Sequence, residues 1–107
     1  MLEMKLLKTA ETKKIEKLLL KHFPDHLAGF PPTAYRYNRA SIRIRVVSPI
    51  FTDLDLVQRD ELVYPILKKN LPEETWQDIS VILLLSPEEV EHSPGNLEYE
   101  NPTPSRI

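Results

Sequence analysis

The spacing of hydrophobic residues predicts an amphipathic helix near the start of the chain, over residues 9–23. Its apolar row is Ile15, Leu18, Leu19 and His22, and its polar side carries Lys13, Lys14, Lys17 and Lys21. Thr9 is a suitable N-cap, and Pro24 ends the helix because proline disfavours helical backbone in the residue before it. The apolar residues within positions 1–8 fit either an extension of this helix or a short strand.

Alternation of apolar and polar residues predicts two strands next, over Thr33–Tyr37 and Ser41–Val47, joined by a turn near Asn38. The two faces of this hairpin should differ, because successive side chains of a strand point to opposite sides. The apolar face, which should carry the helices, is predicted to hold Tyr35, Tyr37, Ile42, Ile44 and Val46. The other face is predicted to hold Arg36, Arg43 and Arg45. The predicted cross-strand pairs are Tyr35 with Ile44, Arg36 with Arg43, and Tyr37 with Ile42.

A second helix is predicted to follow, capped by Asp53 or Asp55. Its apolar stripe includes Leu56, Val63, Ile66 and Leu67. Pro65 should kink this helix or break its final turn, because proline removes the amide that would bond to Glu61. A short helix is then expected over residues 70–76.

The run Ile79–Leu85 is apolar at almost every position and predicts a third strand. Such a strand is either covered on both faces or contributes Ile82 and Leu84 to an exposed patch. The sequence Ser86-Pro87-Glu88-Glu89 then has the pattern of a helix start, with a cap, a proline and a capping-box glutamate. A right-handed crossover would place the third strand parallel to the second.

The predicted fold is α+β: a small three-stranded mixed sheet with helices packed on one face, in the order α-β-β-α-α-β. Residues 1–92 are expected to form a single domain, and residues 93–107 a flexible C-terminal tail. At 107 residues, 41% of them hydrophobic, the chain is long enough for one core of modest stability. No stretch is apolar enough for a signal peptide or a membrane span, so we expect no membrane contact and, by default, a cytoplasmic location.

Composition narrows the chemistry. Cysteine is absent, which removes disulfides, thiol catalysis and cysteine metal ligands. With only Gly29 and Gly95, the chain lacks the glycine-rich loops of nucleotide sites and the Gly-x-x-Gly clamp of KH domains. The spacing of His22, His26 and His92 does not favour a metal site. No nucleophile is paired with a histidine and a carboxylate, so we do not expect an enzyme. Together with the glycine and histidine patterns, this predicts neither a bound metal nor a cofactor.

Arginines remain as candidates for function. Residues 27–50 contain no acid, and their four arginines are Arg36, Arg39, Arg43 and Arg45. Guanidinium groups crowded on a hairpin repel one another unless a carboxylate, an anionic partner or solvent screens them. The candidate binding residues are therefore Arg36, Arg43, Arg45 and, on the second helix, Arg59. Their surface is either a docking site or an ordinary solvated face, and apolar neighbours such as Ile82 and Leu84 would favour a protein interface.

The segment Ser41–Tyr64 resembles the BolA family, in which a strand ending in Val-Ser runs through a Phe-containing loop into a helix. The matching residues are Ser48, Phe51, Leu56, Val57, Arg59, Val63 and Tyr64. A similar segment, Ser86-Pro87-Glu88-Glu89, follows the third strand. The resemblance implies a type II KH-like topology, but the family's His-Arg pair is replaced here by Asp60-Glu61.

In BolA-like proteins that histidine is associated with an iron–sulfur cluster shared with a monothiol glutaredoxin. The carboxylate of Asp60 is a harder ligand than imidazole, and the hairpin turn offers no second histidine or cysteine. We therefore expect no cluster-bridged complex with a glutaredoxin.

The function expected from the sequence is that of a non-enzymatic interaction or adaptor module, which associates with a protein partner or a second copy through the arginine-bearing sheet face. The first alternative is a BolA-like nucleic-acid-binding transcriptional regulator. The net charge of −2 and the acids Asp60 and Glu61 disfavour nucleic acid as the partner. The second alternative is an iron–sulfur or metal-trafficking adaptor.

Overall fold

The computed structural model describes residues 7–104, which form an α+β fold around a three-stranded mixed sheet. In chain order the elements are helix α1 (Ala10–His22), strands β1 (Thr33–Asn38) and β2 (Ser41–Val47), a 3₁₀ turn (Pro49–Phe51), helices α2 (Leu56–Asn70) and α3 (Glu73–Asp78), strand β3 (Ile79–Leu85), a 3₁₀ segment (Pro87–His92) and helix α4 (Pro94–Glu100). The predicted fold class and the predicted element order up to β3 are confirmed. Of the ambiguous residues 1–8, residues 1–6 lie outside the described part, and Leu7 forms an isolated bridge to Arg36.

Strand β2 occupies the centre of the sheet. It pairs antiparallel with β1 through the hairpin and parallel with β3 through the helical crossover. The parallel pairing confirms the predicted crossover. Strand β3 consequently forms one edge of the sheet.

The hairpin register differs by one residue from the predicted register. The observed pairs are Ala34 with Ile44, Tyr35 with Arg43, and Arg36 with Ile42. A bulge between Arg36 and Asn38 places an extra residue in β1 before the turn. Because side chains alternate along a strand, this slip moves Tyr35 and Tyr37 to the predicted arginine face and moves Arg36 away from it.

The main core lies between the sheet and helices α1 and α2. Its buried members are Ile15, Leu19, Phe23, Ala34, Ile42, Ile44, Val46, Phe51, Val63, Leu67, Leu71 and Leu84. The predicted burial of Ile42, Ile44 and Val46 is therefore confirmed. Tyr35 is also buried, but on the opposite face of the sheet.

Both long helices begin at the predicted caps. Thr9 caps α1, and Asp55 caps α2 by accepting a hydrogen bond from the Gln58 amide at 2.8 Å. Helix α2 continues through Pro65 to Asn70 rather than breaking its final turn. The assignment of Leu56 to the buried stripe is wrong, because this first residue of the helix is 72% exposed.

The second face of the sheet is covered by α4, where a flexible tail was expected. Ser93 caps this helix by accepting a hydrogen bond from the Asn96 amide, and Tyr99 is buried against the sheet. The burial of Tyr99 explains why this short, proline-containing segment folds, since an aromatic side chain buries a large apolar area. Residues 105–107 of the predicted tail lie outside the described part.

Strand β3 is covered on both faces only in its second half. Leu84 is buried on the side of α2 and Leu85 on the other side, whereas Val81 in the first half is 38% exposed. Ile82 and Leu84 lie level with Ile44 and Val46 on the core side, so they do not join the arginine face. Among the helices within residues 7–104, none is long and apolar enough to cross a membrane.

Candidate functional site

Arg36 lies apart from the other hairpin arginines and is paired within the chain. Its guanidinium donates to Glu11 of α1 at 2.8 Å and to Asp78 at the end of α3, also at 2.8 Å. It also donates to the carbonyl oxygen of Arg39. This arrangement joins β1 to two helices on the core side of the sheet.

Arg43 and Arg45 lie together on the second face, under α4. Arg43 donates to Glu98 at 3.2 Å, and Arg45 donates to Glu100 at 2.7 Å and to Asn96 at 2.8 Å. Helix α4 thus supplies the screening that crowded guanidinium groups require.

The same two guanidinium groups lie over aromatic rings. Arg43 stands 3.7 Å from the ring centre of Tyr37, and Arg45 stands 4.9 Å from that of Tyr99. Within the described residues, the buried Nε atoms of both arginines have no hydrogen-bond partner. The ring faces attract the cations and offset part of this loss.

Tyr35 of β1 and Tyr99 of α4 complete the cluster between the sheet and α4. The Tyr35 hydroxyl donates to the carbonyl oxygen of Tyr99 at 2.7 Å, and the two ring centres are 4.9 Å apart. Burial raises the pKa of Tyr35 and, more strongly, the pKa of Tyr99, so both hydroxyls stay protonated at neutral pH. The predicted arginine face is therefore an interior layer of the protein rather than an open surface.

Arg59, the fourth candidate binding residue, is also used internally. It donates to both carboxylate oxygens of Glu89, to the carbonyl oxygen of Leu84 at 3.0 Å and to that of Leu54 at 3.0 Å. The hydrogen bonds from Arg59 to the Glu89 carboxylate lower the pKa of Glu89. The four candidate arginines consequently lie in three separate places, and the sequence-based binding site is not assembled as one surface.

A different feature, the β3-edge groove, offers an accessible surface. This groove has a volume of about 500 Å³ and runs between the start of α2, the second half of β3 and the segment that leads into α4. Its lining residues are Leu56, Arg59, Asp60, Ile82, Leu83, Leu84, Leu85, Glu88, Glu89, His92, Ser93 and Gly95. Leu56 is its most exposed apolar residue.

The outer edge of β3 lies along this groove. The Leu85 carbonyl oxygen faces β2 and accepts from the Ser48 amide, whereas the Leu84 carbonyl oxygen faces outward to Arg59. By strand alternation, the polar groups of Ile82 also face outward. No strand within residues 7–104 pairs with this side of β3. Arg59 already occupies the Leu84 carbonyl oxygen there, so an added strand would bond first to the outward polar groups of Ile82.

The rim of the β3-edge groove is acidic. Asp60 and Glu88 line it, and none of the ion pairs found in the described part of the chain involves either residue. Uncompensated carboxylates beside an apolar groove favour a partner that carries basic side chains.

Metal-ligating side chains do not converge in the described residues. Across positions 7–104, no group of three or more His, Asp or Glu side chains is arranged to hold a metal ion. His92 lines the β3-edge groove, whereas His26 bonds to the carbonyl oxygen of Leu27. The iron–sulfur alternative thus gains no donor cluster from this part of the chain.

Comparisons of the chain with protein-family models, with curated proteins and with solved structures found no match. The α+β fold therefore stands on its own geometry, and the BolA resemblance stays a prediction.

Sequence reasoning missed the β3-edge groove, although part of its signal was present. The almost continuous apolar run of β3 predicted either a strand covered on both faces or an exposed patch with Ile82 and Leu84, but it could not show that the strand lies at an edge. Leu56 was assigned to the core because it fits the helical period. At the first position of a helix, however, the side chain can point past the end of the core.

Proposed function

We propose that this protein is a non-enzymatic interaction module that binds an extended segment of another protein along the edge of β3. The observation that carries the proposal is the outer edge of an apolar strand, with which no strand in residues 7–104 pairs, beside the β3-edge groove. In strand addition of this type, main-chain hydrogen bonds supply affinity and side-chain pockets supply specificity.

The chemistry of the groove defines the partner. The exposed Leu56 and the lining residues Ile82 and Leu83 favour apolar side chains, while Asp60 and Glu88 favour Lys or Arg beside them. The partner segment is therefore extended and alternates apolar with basic residues. The hairpin arginines, which were expected to form the interface, instead hold the fold together from within.

A selection from randomised peptides, with the folded protein as bait, tests this proposal. Enriched peptides should alternate apolar and basic residues, and bound peptide should slow hydrogen exchange of the Ile82 and Leu84 amides, because strand addition covers this edge. Leu56→Lys should weaken binding of an enriched peptide about tenfold or more, since it places a cation in the groove.

The neighbouring substitution Val57→Lys is the matched control. Val57 is 64% exposed and does not line the groove, so the same charge change there should leave peptide affinity within about twofold of wild type. Equal losses in the two variants, or exchange protection that avoids β3, would contradict the proposal. Light scattering on the protein alone would detect self-association, which would make a second copy the partner.

A further inference from the structure

A second groove, the lysine groove, lies between α1 and the end of α2. It has a volume of about 340 Å³, and its lining residues are Lys14, Lys17, Leu18, Lys21, Asn70 and Leu71. Leu18 packs against the core while reaching the groove, and Leu71 is buried. The groove thus combines an apolar floor with a cationic wall and shares no residue with the β3-edge groove.

The cationic wall of the groove consists of three lysines of α1. Lys14, Lys17 and Lys21 are exposed, and no ion pair in the described part of the chain includes any of them. Their spacings of three and four residues place like charges next to one another on α1, which destabilises a helix slightly. Lys21 in the last turn complements the helix dipole, but Lys14 and Lys17 lie too far from that end.

Helical spacing also indicates the shape of the partner. The three lysines extend over about 10 Å of helix, since each residue rises 1.5 Å. An adjacent helix with acidic residues at similar intervals can face all three, while its apolar side rests on Leu18 and Leu71. Laying an amphipathic helix into a groove is a common mode of protein recognition.

Nucleic acid fits this groove less well. No aromatic ring and no arginine line it, so it offers neither a stacking platform for bases nor a guanidinium fork for phosphates. An apolar floor also has no counterpart in a phosphate backbone.

We propose that the lysine groove is a docking site for an acidic amphipathic helix of a partner protein. This site is independent of strand addition at β3, and the two proposals stand or fall separately. A module with both sites can hold two partners at once.

The probe for the test is a synthetic, fluorescently labelled amphipathic peptide in which Leu and Glu recur with helical spacing. We expect it to bind the wild-type protein, and we expect affinity to fall as salt rises because exposed charges are screened. The double variant Lys14→Glu/Lys17→Glu should lose about tenfold or more in affinity, measured by fluorescence anisotropy. A peptide with Ser in place of each Leu should also bind more weakly, because it lacks the apolar face.

The double variant Arg39→Glu/Lys68→Glu is the matched control, because it changes net charge equally at two exposed positions that do not line the groove. Its affinity for the acidic peptide should stay within about twofold of wild type. Equal losses in both variants would overturn the proposal by showing nonspecific charge attraction, as would no binding to wild type. Tighter binding of labelled single- or double-stranded DNA, lost in the Lys14/Lys17 variant, would overturn it in favour of nucleic acid.

Discussion

At the scale of single residues, Arg59 is a buried charge that joins three parts of the fold. It lies in the first turns of α2, and its guanidinium reaches the end of β3 and the following 3₁₀ segment through Leu84 and Glu89. Four of its five N–H donors form hydrogen bonds, which go to the carbonyl oxygens of Leu54 and Leu84 and to both carboxylate oxygens of Glu89. A buried charge satisfied in this way stabilises a defined geometry, whereas removal of its partner leaves a costly unpaired group.

Replacing the partner carboxylate tests this role. Glu89→Gln should lower the free energy of unfolding at neutral pH by about 1 kcal/mol, a modest value because the Glu89 side chain is 42% exposed and partly screened by solvent. The native-state pKa of Glu89 is lowered by Arg59, so its stabilisation is present above the unfolded-state pKa of about 4.3 and is lost as the pH falls through the native-state pKa. Denaturant titrations across acidic and neutral pH should therefore show the two proteins converging in acid.

Glu88→Gln provides the comparison for this measurement. Glu88 is exposed, and no ion pair in the described residues involves it, so the substitution should leave stability within about 0.5 kcal/mol of wild type. If both variants show the same dependence on pH, the bond from Arg59 does not couple Glu89 to folding.

At the scale of elements, α4 converts one face of the sheet from surface into interior. Its carboxylates meet Arg43 and Arg45, and the ring of Tyr99 lies against Tyr35. Gly95 permits close approach to the sheet, because a Cβ atom there would lie 3.1 Å from a methyl group of Leu83. Ion pairs, aromatic packing and the small side of the helix at Gly95 thus together hold α4 against the sheet.

Truncation of the buried aromatic residue tests whether α4 contributes to stability. Tyr99→Ala should lower the free energy of unfolding by about 3–5 kcal/mol, the range observed when large aromatic side chains are removed from a core. Leu97→Ala on the same helix should change it by less than about 1 kcal/mol, because Leu97 is 66% exposed. Chemical denaturation of both variants gives the comparison, and equal effects would mean that α4 does not pack as a fixed element.

Pattern reasoning located the elements of the main sheet better than it located their contacts. The bounds of β2 and β3 and the cap Thr9 follow from local spacing and cap chemistry, and the structure confirms them. Of the two caps predicted for α2, Asp53 and Asp55, the structure has Asp55. The bulge near Asn38 could not be predicted, because strand alternation alone allows neighbouring registers. That single slip changed the assignment of the tyrosines and of Arg36, whereas Arg43 and Arg45 kept their predicted face and are covered by α4.

The C-terminal segment shows a second limit of pattern reasoning. Ser93-Pro94 matches a capped helix start, but the following turn buries only Asn96 and Tyr99, too few for an apolar periodicity to stand out. Its stability comes from distant partners on β1 and β2, which no local pattern can supply. The β3-edge groove was missed for the same reason, since it forms only when α2, β3 and the segment before α4 come together.

At the scale of the whole molecule, one sheet separates two layers with different chemistry. Helices α1 and α2 cover a hydrophobic core on one side, while α4 covers arginine and tyrosine on the other. Strand β2 contributes to both layers, with Ile44 buried on the first side and Arg45 on the second. A substitution that destabilises one layer should therefore also destabilise the other, because both layers include side chains of this strand.

The last prediction concerns this coupling. Trp76, the single tryptophan, packs beside Tyr64 on the side of α2, so its fluorescence reports unfolding of the first layer. If the layers unfold together, the denaturation midpoints from Trp76 fluorescence and far-ultraviolet circular dichroism should coincide, as expected for a small two-state domain.

Tyr99→Ala, on the far side of the sheet, should then lower both midpoints equally. Ile44→Ala should do the same, and we expect it to lower the free energy of unfolding by about 2–5 kcal/mol. If Tyr99→Ala left the fluorescence midpoint unchanged while lowering the dichroism midpoint, α4 would unfold separately, and the arginine layer would be accessible in a partly folded state.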